Sequence, residues 1–234
     1  MAWSKKALAV LRRDGALGSL RTALRRAGAL VALSEEHVWY LLDACAAHPP
    51  LRLAPGVALD RPRDPDMRAL GQVTSTLSAR QVRARLRANN DLWLASEGGR
   101  AVFSCWVFRE LTPTIAAPGG QLALPPDTVC LEDVLAAPAA RGRGIAPAAY
   151  VAIAGAVAAE GRRWLVTKVA VENASARRAV EKAGFEAVAR MRFTRVLARS
   201  RTSLAPLDGP RGEWLVERVD AGLRTRAHTH GRRA

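Results

Sequence analysis

The chain has 234 residues, 49% of them hydrophobic and 24% charged, with a formal net charge of +15. This supports one sizeable core and excludes a wholly disordered chain. The charge calls for a polyanionic partner: a CoA-type cofactor, nucleic acid or an anionic membrane. Cys45, Cys105 and Cys130 are scattered; they predict no metal site, no disulfide framework and a cytoplasmic location. No apolar run reaches the ~20 residues that span a bilayer.

Residues 4–33 read as one or two helices. Leu8, Leu11, Leu20, Leu24 and Val31 fall near one face, and Lys5, Lys6, Arg12, Arg13, Arg21, Arg25 and Arg26 supply the other. This basic amphipathic arm, residues 1–34, is expected to pack on its own domain or to dock peripherally on an anionic membrane surface. Residues 36–44 predict a strand through Val38, Trp39, Tyr40 and Leu41. A proline-rich connector follows over 49–66, with a short strand near Val57–Leu59. A weak helix is expected over Asp66–Leu77. Ser78 then serves as N-cap for a basic helix over Ala79–Ala88.

Asp91–Ser96 and Ala101–Arg109 read as a hairpin turning at Glu97–Arg100. Thr112–Pro126 reads as a Pro/Gly loop, Val129–Ala136 as a strand and Ala148–Glu160 as an Ala-rich helix stopped by Gly161. Then come a buried strand (Trp164–Val171), a helix (Ser175–Ala183) and a long strand (Glu186–Leu197). After Ser200 the pattern fades. Glu213–Val219 suits a last strand or helix, and the basic end reads as disordered. The order of elements predicts an α/β layer fold with a mixed sheet.

Between Val129–Ala136 and the Ala-rich helix stands Arg141-Gly142-Arg143-Gly144-Ile145-Ala146. Two glycines at a helix mouth leave backbone N–H groups unpaired, and the helix dipole adds partial positive charge there. Flanked by Arg141 and Arg143, the turn is a cradle for phosphate. A second marker is Asn173, followed by Glu181-Lys182-x-Gly184-Phe185.

Arg141-x-x-Gly144-x-Ala146 resembles the acyl-CoA signature of the GNAT superfamily of N-acetyltransferases, and Asn173 with Lys182-x-Gly184-Phe185 resembles that family's later block. The resemblance covers Asp91–Leu197. It implies a mixed, mostly antiparallel central sheet with flanking helices, here carrying the extra N-terminal basic helical arm. It divides the chain into the arm (1–34), the GNAT-like domain (35–200) and a C-terminal extension (201–234). It further implies that Arg141, Gly142, Arg143, Gly144, Ile145 and Ala146 wrap the pyrophosphate of acetyl-CoA or another acyl-CoA. The backbone of Leu135 and Ala136 pairs with the pantetheine arm where two parallel strands splay, and Asn173 contacts the same arm.

The implied chemistry is acyl transfer to an amine of a small molecule, an amino sugar or an envelope-linked acceptor. The expected base is Glu132 or Asp133, which strand alternation puts on opposite faces. The family's usual tyrosine acid is absent: Val180 stands at that position. Tyr40 and Tyr150 lie elsewhere, and Ser175 is as well explained by helix capping. Two other functions remain open, an aminoacyl-tRNA-dependent transferase and a non-catalytic CoA-binding module on an anionic surface. Nucleic acid is the less favoured partner.

Overall fold

A computed structural model describes residues 32–74, 77–197, 199–207 and 209–224. The helical arm expected over 4–33 falls almost wholly outside the described residues, as does the tail beyond Arg224. The chain runs β1 (Ala32–Asp43), β2 (Val57–Asp60), α1 (Met67–Val73), α2 (Ala79–Arg87), β3 (Asp91–Glu97) and β4 (Arg100–Phe108). It continues through β5 (Leu111–Pro113), β6 (Gln121–Ala123), β7 (Thr128–Ala136), α3 (Ile145–Ala159), β8 (Trp164–Ala170), α4 (Ala174–Lys182), β9 (Glu186–Val196), β10 (Arg199–Pro206) and α5 (Pro210–Arg224).

Eight strands form one sheet in the order β10-β9-β1-β8-β7-β4-β3-β2. The pairs β1–β8, β2–β3, β3–β4 and β4–β7 are antiparallel. β7 and β8 are parallel, joined through the crossover helix α3. The mixed, mostly antiparallel sheet expected from the sequence is therefore present.

The chain divides into two compact units: His37–Met191 with the segment from Leu204 onward, and the segment up to Glu36 with Arg192–Ser203. Within the smaller one Arg192 pairs with Glu36 at 3.1 Å and Thr194 Oγ1 donates to the Arg201 carbonyl at 3.5 Å.

In the larger unit the sheet buries both faces. Tyr40, Phe103, Cys105, Leu131 and Leu165 meet Ile145, Tyr150 and Ile153 of α3 and Val180 of α4 in one apolar cluster. The intervening residues on the strands, Trp39, Trp106, Phe108 and Cys130, are buried on the opposite face. Period-2 alternation explains why these strands are almost continuously apolar.

Local signals act as expected at α2. Ser78 Oγ accepts from the Gln81 amide at 3.3 Å, and Gln81 Oε1 accepts from the Ser78 amide at 2.9 Å, a reciprocal capping box. Three expectations need correction. The loop over Thr112–Pro126 holds the β5–β6 ribbon, whose buried residues include Thr112 and Leu122. β10 went unforeseen because its side chains are mostly exposed and carry no alternation. The last helix is longer than Glu213–Val219 and buries Leu215, Val219 and Leu223.

α5 lies against the backbone at Gly212, where a Cβ would stand 2.4 Å from the Val188 carbonyl and 2.6 Å from the Leu207 carbonyl. Backbone cannot rotate away as a side chain can. Gly212→Ala is therefore expected to cost about 1–3 kcal/mol, as overpacking does, read as a lowered urea midpoint. A midpoint equal to that of the parent would show that this contact is loose.

Candidate active site

The site begins at an irregularity in β7. Against β4, Leu135 faces Ser104 and Glu132 faces Trp106, so Asp133 and Val134 together oppose Cys105. This is a β-bulge, and Asp133 adopts a left-handed φ of 48°. Asp tolerates that conformation better than most residues. The parallel pairing with β8 runs from Thr128↔Trp164 to Leu131↔Thr167 and extends no further. A bulge bends and twists its strand, which accounts for the divergence from β8 that follows.

The gap between the diverging strands is a cleft of about 130 Å³, lined by Leu131–Val134, Tyr150, Thr167–Ala170, Asn173, Ala176 and Val180. Leu135 and Ala136 continue β7 beyond it, with their ladder to β4 intact. The glycine turn follows directly. Gly142 and Gly144 both have left-handed φ, 76° and 75°, and a Cβ on either would meet nothing within 4 Å. Gly144 is the N-cap of α3, and no side chain caps that helix. Pro147 has no N–H to offer, so the Ile145 and Ala146 amides form the open donor set of the first turn. Those amides and the end of a 15-residue helix suit a pyrophosphate.

The flanking cations are engaged locally. Arg143 makes a two-pronged pair with Glu97 at 2.8 and 2.6 Å, and Arg141 Nε donates to the Ala136 carbonyl at 3.3 Å. Asn173 caps α4: its Oδ1 accepts from the Ala176 amide at 3.1 Å and from Ser175 Oγ at 3.2 Å. Glu181 of the second motif ties α4 to the sheet, accepting from the Tyr40 hydroxyl at 2.8 Å.

The two candidate carboxylates do not lie on opposite faces. Glu132 sits opposite Trp106. Asp133 pairs with Arg85 at 2.6 Å, and that guanidinium lies over the Trp106 and Phe108 rings at 5.1 and 5.2 Å. The left-handed residue at the bulge turns Asp133 to the α2 side as well, which breaks the alternation. Their surroundings differ. Asp133 is 46% exposed and Glu132 18%.

Glu132 Oε1 pairs with Lys168 Nζ. It also lies 3.5 Å from Thr112 Oγ1 and 3.6 Å from Cys130 Sγ. Lys168 is 7% exposed and donates to Thr112 Oγ1 at 3.2 Å and to the Pro113 carbonyl at 3.1 Å, with its Nζ 5.3 Å from the Trp39 ring. Burial alone would push the Lys168 ammonium down; the Glu132 carboxylate against it outweighs that and holds the group above its ordinary value. Burial pushes the Cys130 thiol up to about 12, so it stays protonated at neutral pH.

Lys168, Thr112 and Tyr150 were not foreseen as parts of this site. Lys168 did carry a signal: it is the one charged residue in the apolar run Trp164–Ala170. Tyr150 packs edge-on between Phe103 and Phe185 at 6.3 and 6.0 Å, and burial raises its phenol pKa.

A roomier hollow of about 430 Å³ is walled by Arg61, Arg87, Asp91, Arg109 and Glu160 at the far end of α3. Glu160 pairs there with Arg61 at 2.5 Å and with Arg109 at 2.6 Å, and Arg109 also holds Asp91. It has neither the amide-rich turn nor the strand gap, so size does not mark the site here. Among the described residues no cluster suits a metal ion, and no helix is long and apolar enough to cross a membrane.

Comparison with known proteins agrees with this architecture. A family model for the acetyltransferase (GNAT) domain matches residues 54–186, more than half of the chain. The structure of a GCN5-related N-acetyltransferase from Sphaerobacter thermophilus aligns at 15% identity and a TM-score of 0.50, covering 76% of this chain and 56% of its own. A tandem GNAT protein from the clavulanic acid biosynthesis pathway aligns at 15% identity and a TM-score of 0.50, covering 77% of this chain and 59% of its own. At these identities the likeness is one of fold alone, and this chain spans little more than half the length of either. No curated protein matches it.

Proposed function

We propose that this chain, which belongs to the GNAT acetyltransferase family, transfers an acetyl group from acetyl-CoA to an amine of a small molecule, an amino sugar or an envelope-linked acceptor. The family uses acyl-CoA; acetyl as the acyl group and an amine as the acceptor are our reading. One observation carries it: the uncapped N-terminus of α3, entered through two left-handed glycines, adjoins the cleft opened by the β7 bulge.

The bound thioester supplies an activated acyl carbon. The chain supplies the rest. The Ile145 and Ala146 amides hold the pyrophosphate. On the β7 edge beyond Leu135, the Ala136 N–H faces away from β4 and is offered to the pantetheine arm as a neighbouring strand would offer it, while the Ala136 carbonyl is held by Arg141. Asn173 lines the same path. Glu132 is the better placed of the two carboxylates to accept the amine proton: both line the cleft, but Asp133 is the more exposed and its carboxylate is held by Arg85. The small cleft favours a short acyl group.

Titration of the protein with acetyl-CoA in a calorimeter, without acceptor, tests the reading. One site with a micromolar-range dissociation constant is expected, competed by CoA. An absence of heat and of competition would overturn it.

A further inference from the structure

Lys168 is the least expected residue in the cleft. It is charged, 7% exposed, and surrounded by Cys130, Glu132 and Asp133 of β7, Thr112 and the Pro113 carbonyl of the ribbon, and the Trp39 ring of β1. A buried ammonium needs compensation, and a pair of hydrophobic residues would serve stability as well or better. Both members of this pair line the cleft between the diverging strands.

Resting on the acyltransfer reading above, we propose that Lys168 is the proton donor to the leaving thiolate, and that Glu132 and Lys168 work as a self-resetting pair. Glu132 Oε1 accepts the proton that the acceptor nitrogen loses as the N–C bond forms. Lys168 Nζ gives its proton to the sulfur as the C–S bond breaks. Proton transfer from Glu132 to Lys168 across their direct hydrogen bond then restores carboxylate and ammonium. The products are an amide and a thiol, and no proton is drawn from bulk water. Several contacts keep Lys168 in place through the cycle: the Thr112 hydroxyl and the Pro113 carbonyl each hold it by a hydrogen bond. Its raised pKa keeps it loaded at neutral pH.

The test reads the thiol itself. CoA and desulfo-CoA are titrated into the protein by calorimetry in phosphate and in Tris, whose ionisation heats differ, so that protons released on binding are counted. A thiol brought beside an ammonium is lowered by about a unit, and near its free midpoint it gives up roughly 0.4 of a proton on binding. We expect that release with CoA and none with desulfo-CoA. Lys168→Met should lose the release, and Lys168→Arg should keep most of it, with affinity for CoA changed less than about threefold.

Equal proton counts for CoA and desulfo-CoA in the parent protein would overturn the proposal whether or not the variants fold. So would loss of the release in Tyr150→Phe with Lys168→Met unaffected, which would pass the role to the phenol. Failure of either ligand to bind at all would instead overturn the acyl-CoA reading.

Discussion

Gly144→Glu is expected to weaken acetyl-CoA binding at least a hundredfold while leaving the fold intact. Gly144 holds φ at 75° as the N-cap of α3. A non-glycine residue there costs roughly 1–2 kcal/mol in backbone strain. The larger effect is electrostatic. The new carboxylate would occupy the amides meant for the pyrophosphate and repel its charge. A hundredfold corresponds to about 2.7 kcal/mol. A carboxylate at a helix N-terminus is itself stabilising, and a Cβ there meets nothing within 4 Å, so the melting temperature should move little. Calorimetry with acetyl-CoA, paired with a thermal melt, checks both halves. Gly144→Ala keeps the strain without the charge and should fall between. Binding of Gly144→Glu within threefold of the parent would place the phosphates elsewhere.

Removing one member of the buried pair should be as damaging as truncating a core aromatic of the sheet. Glu132→Ala leaves the Lys168 ammonium without its direct carboxylate partner, held by the Thr112 hydroxyl and the Pro113 carbonyl. Breaking a buried ion pair in this way typically costs about 3–5 kcal/mol. In a domain of this size that is a fall in melting temperature of about 10 °C. The double variant Glu132→Ala/Lys168→Met removes the stranded charge and should recover more than half of the loss. A single variant costing under about 1 kcal/mol would mean that solvent reaches Lys168, contrary to its burial. The double variant also separates stability from chemistry, since it should be folded and without transfer activity.

How much of this was legible beforehand depended on the kind of signal. β4, β7, α3, β8 and α4 were readable because both faces of the sheet are covered and their residues alternate or run apolar. The ribbon and β10 were not, since a three-residue strand with one buried side chain, or a strand of exposed ones, leaves no period to detect. The glycine turn was readable because left-handed backbone restricts residue type. The facing of Asp133 was not: alternation assumes one residue per step, and nothing in Leu131–Val134 announces that β4 will match two residues with one. Lys168 was visible as an anomaly in an apolar strand, but its partner lies across the β7–β8 junction, a pairing that exists only once the sheet is assembled.

The bulge also makes the site a matter of counting. Because Asp133 and Val134 share one partner on β4, β7 is one residue longer than a regular ladder would require. That surplus shifts the phase of the strand: Leu135 and Ala136 occupy positions that an uninterrupted ladder would have given to their predecessors. Deleting a single residue at 133 or 134 would restore the phase and let β7 zip onto β8 past Leu131. The gap would close without any contact residue being replaced by a bulkier one. A shortened β7 should therefore give a more regular and more stable sheet that has lost its opening. In this fold the vacancy between the strands is encoded by an insertion, and substitution scanning along β7 would underestimate how easily it is lost.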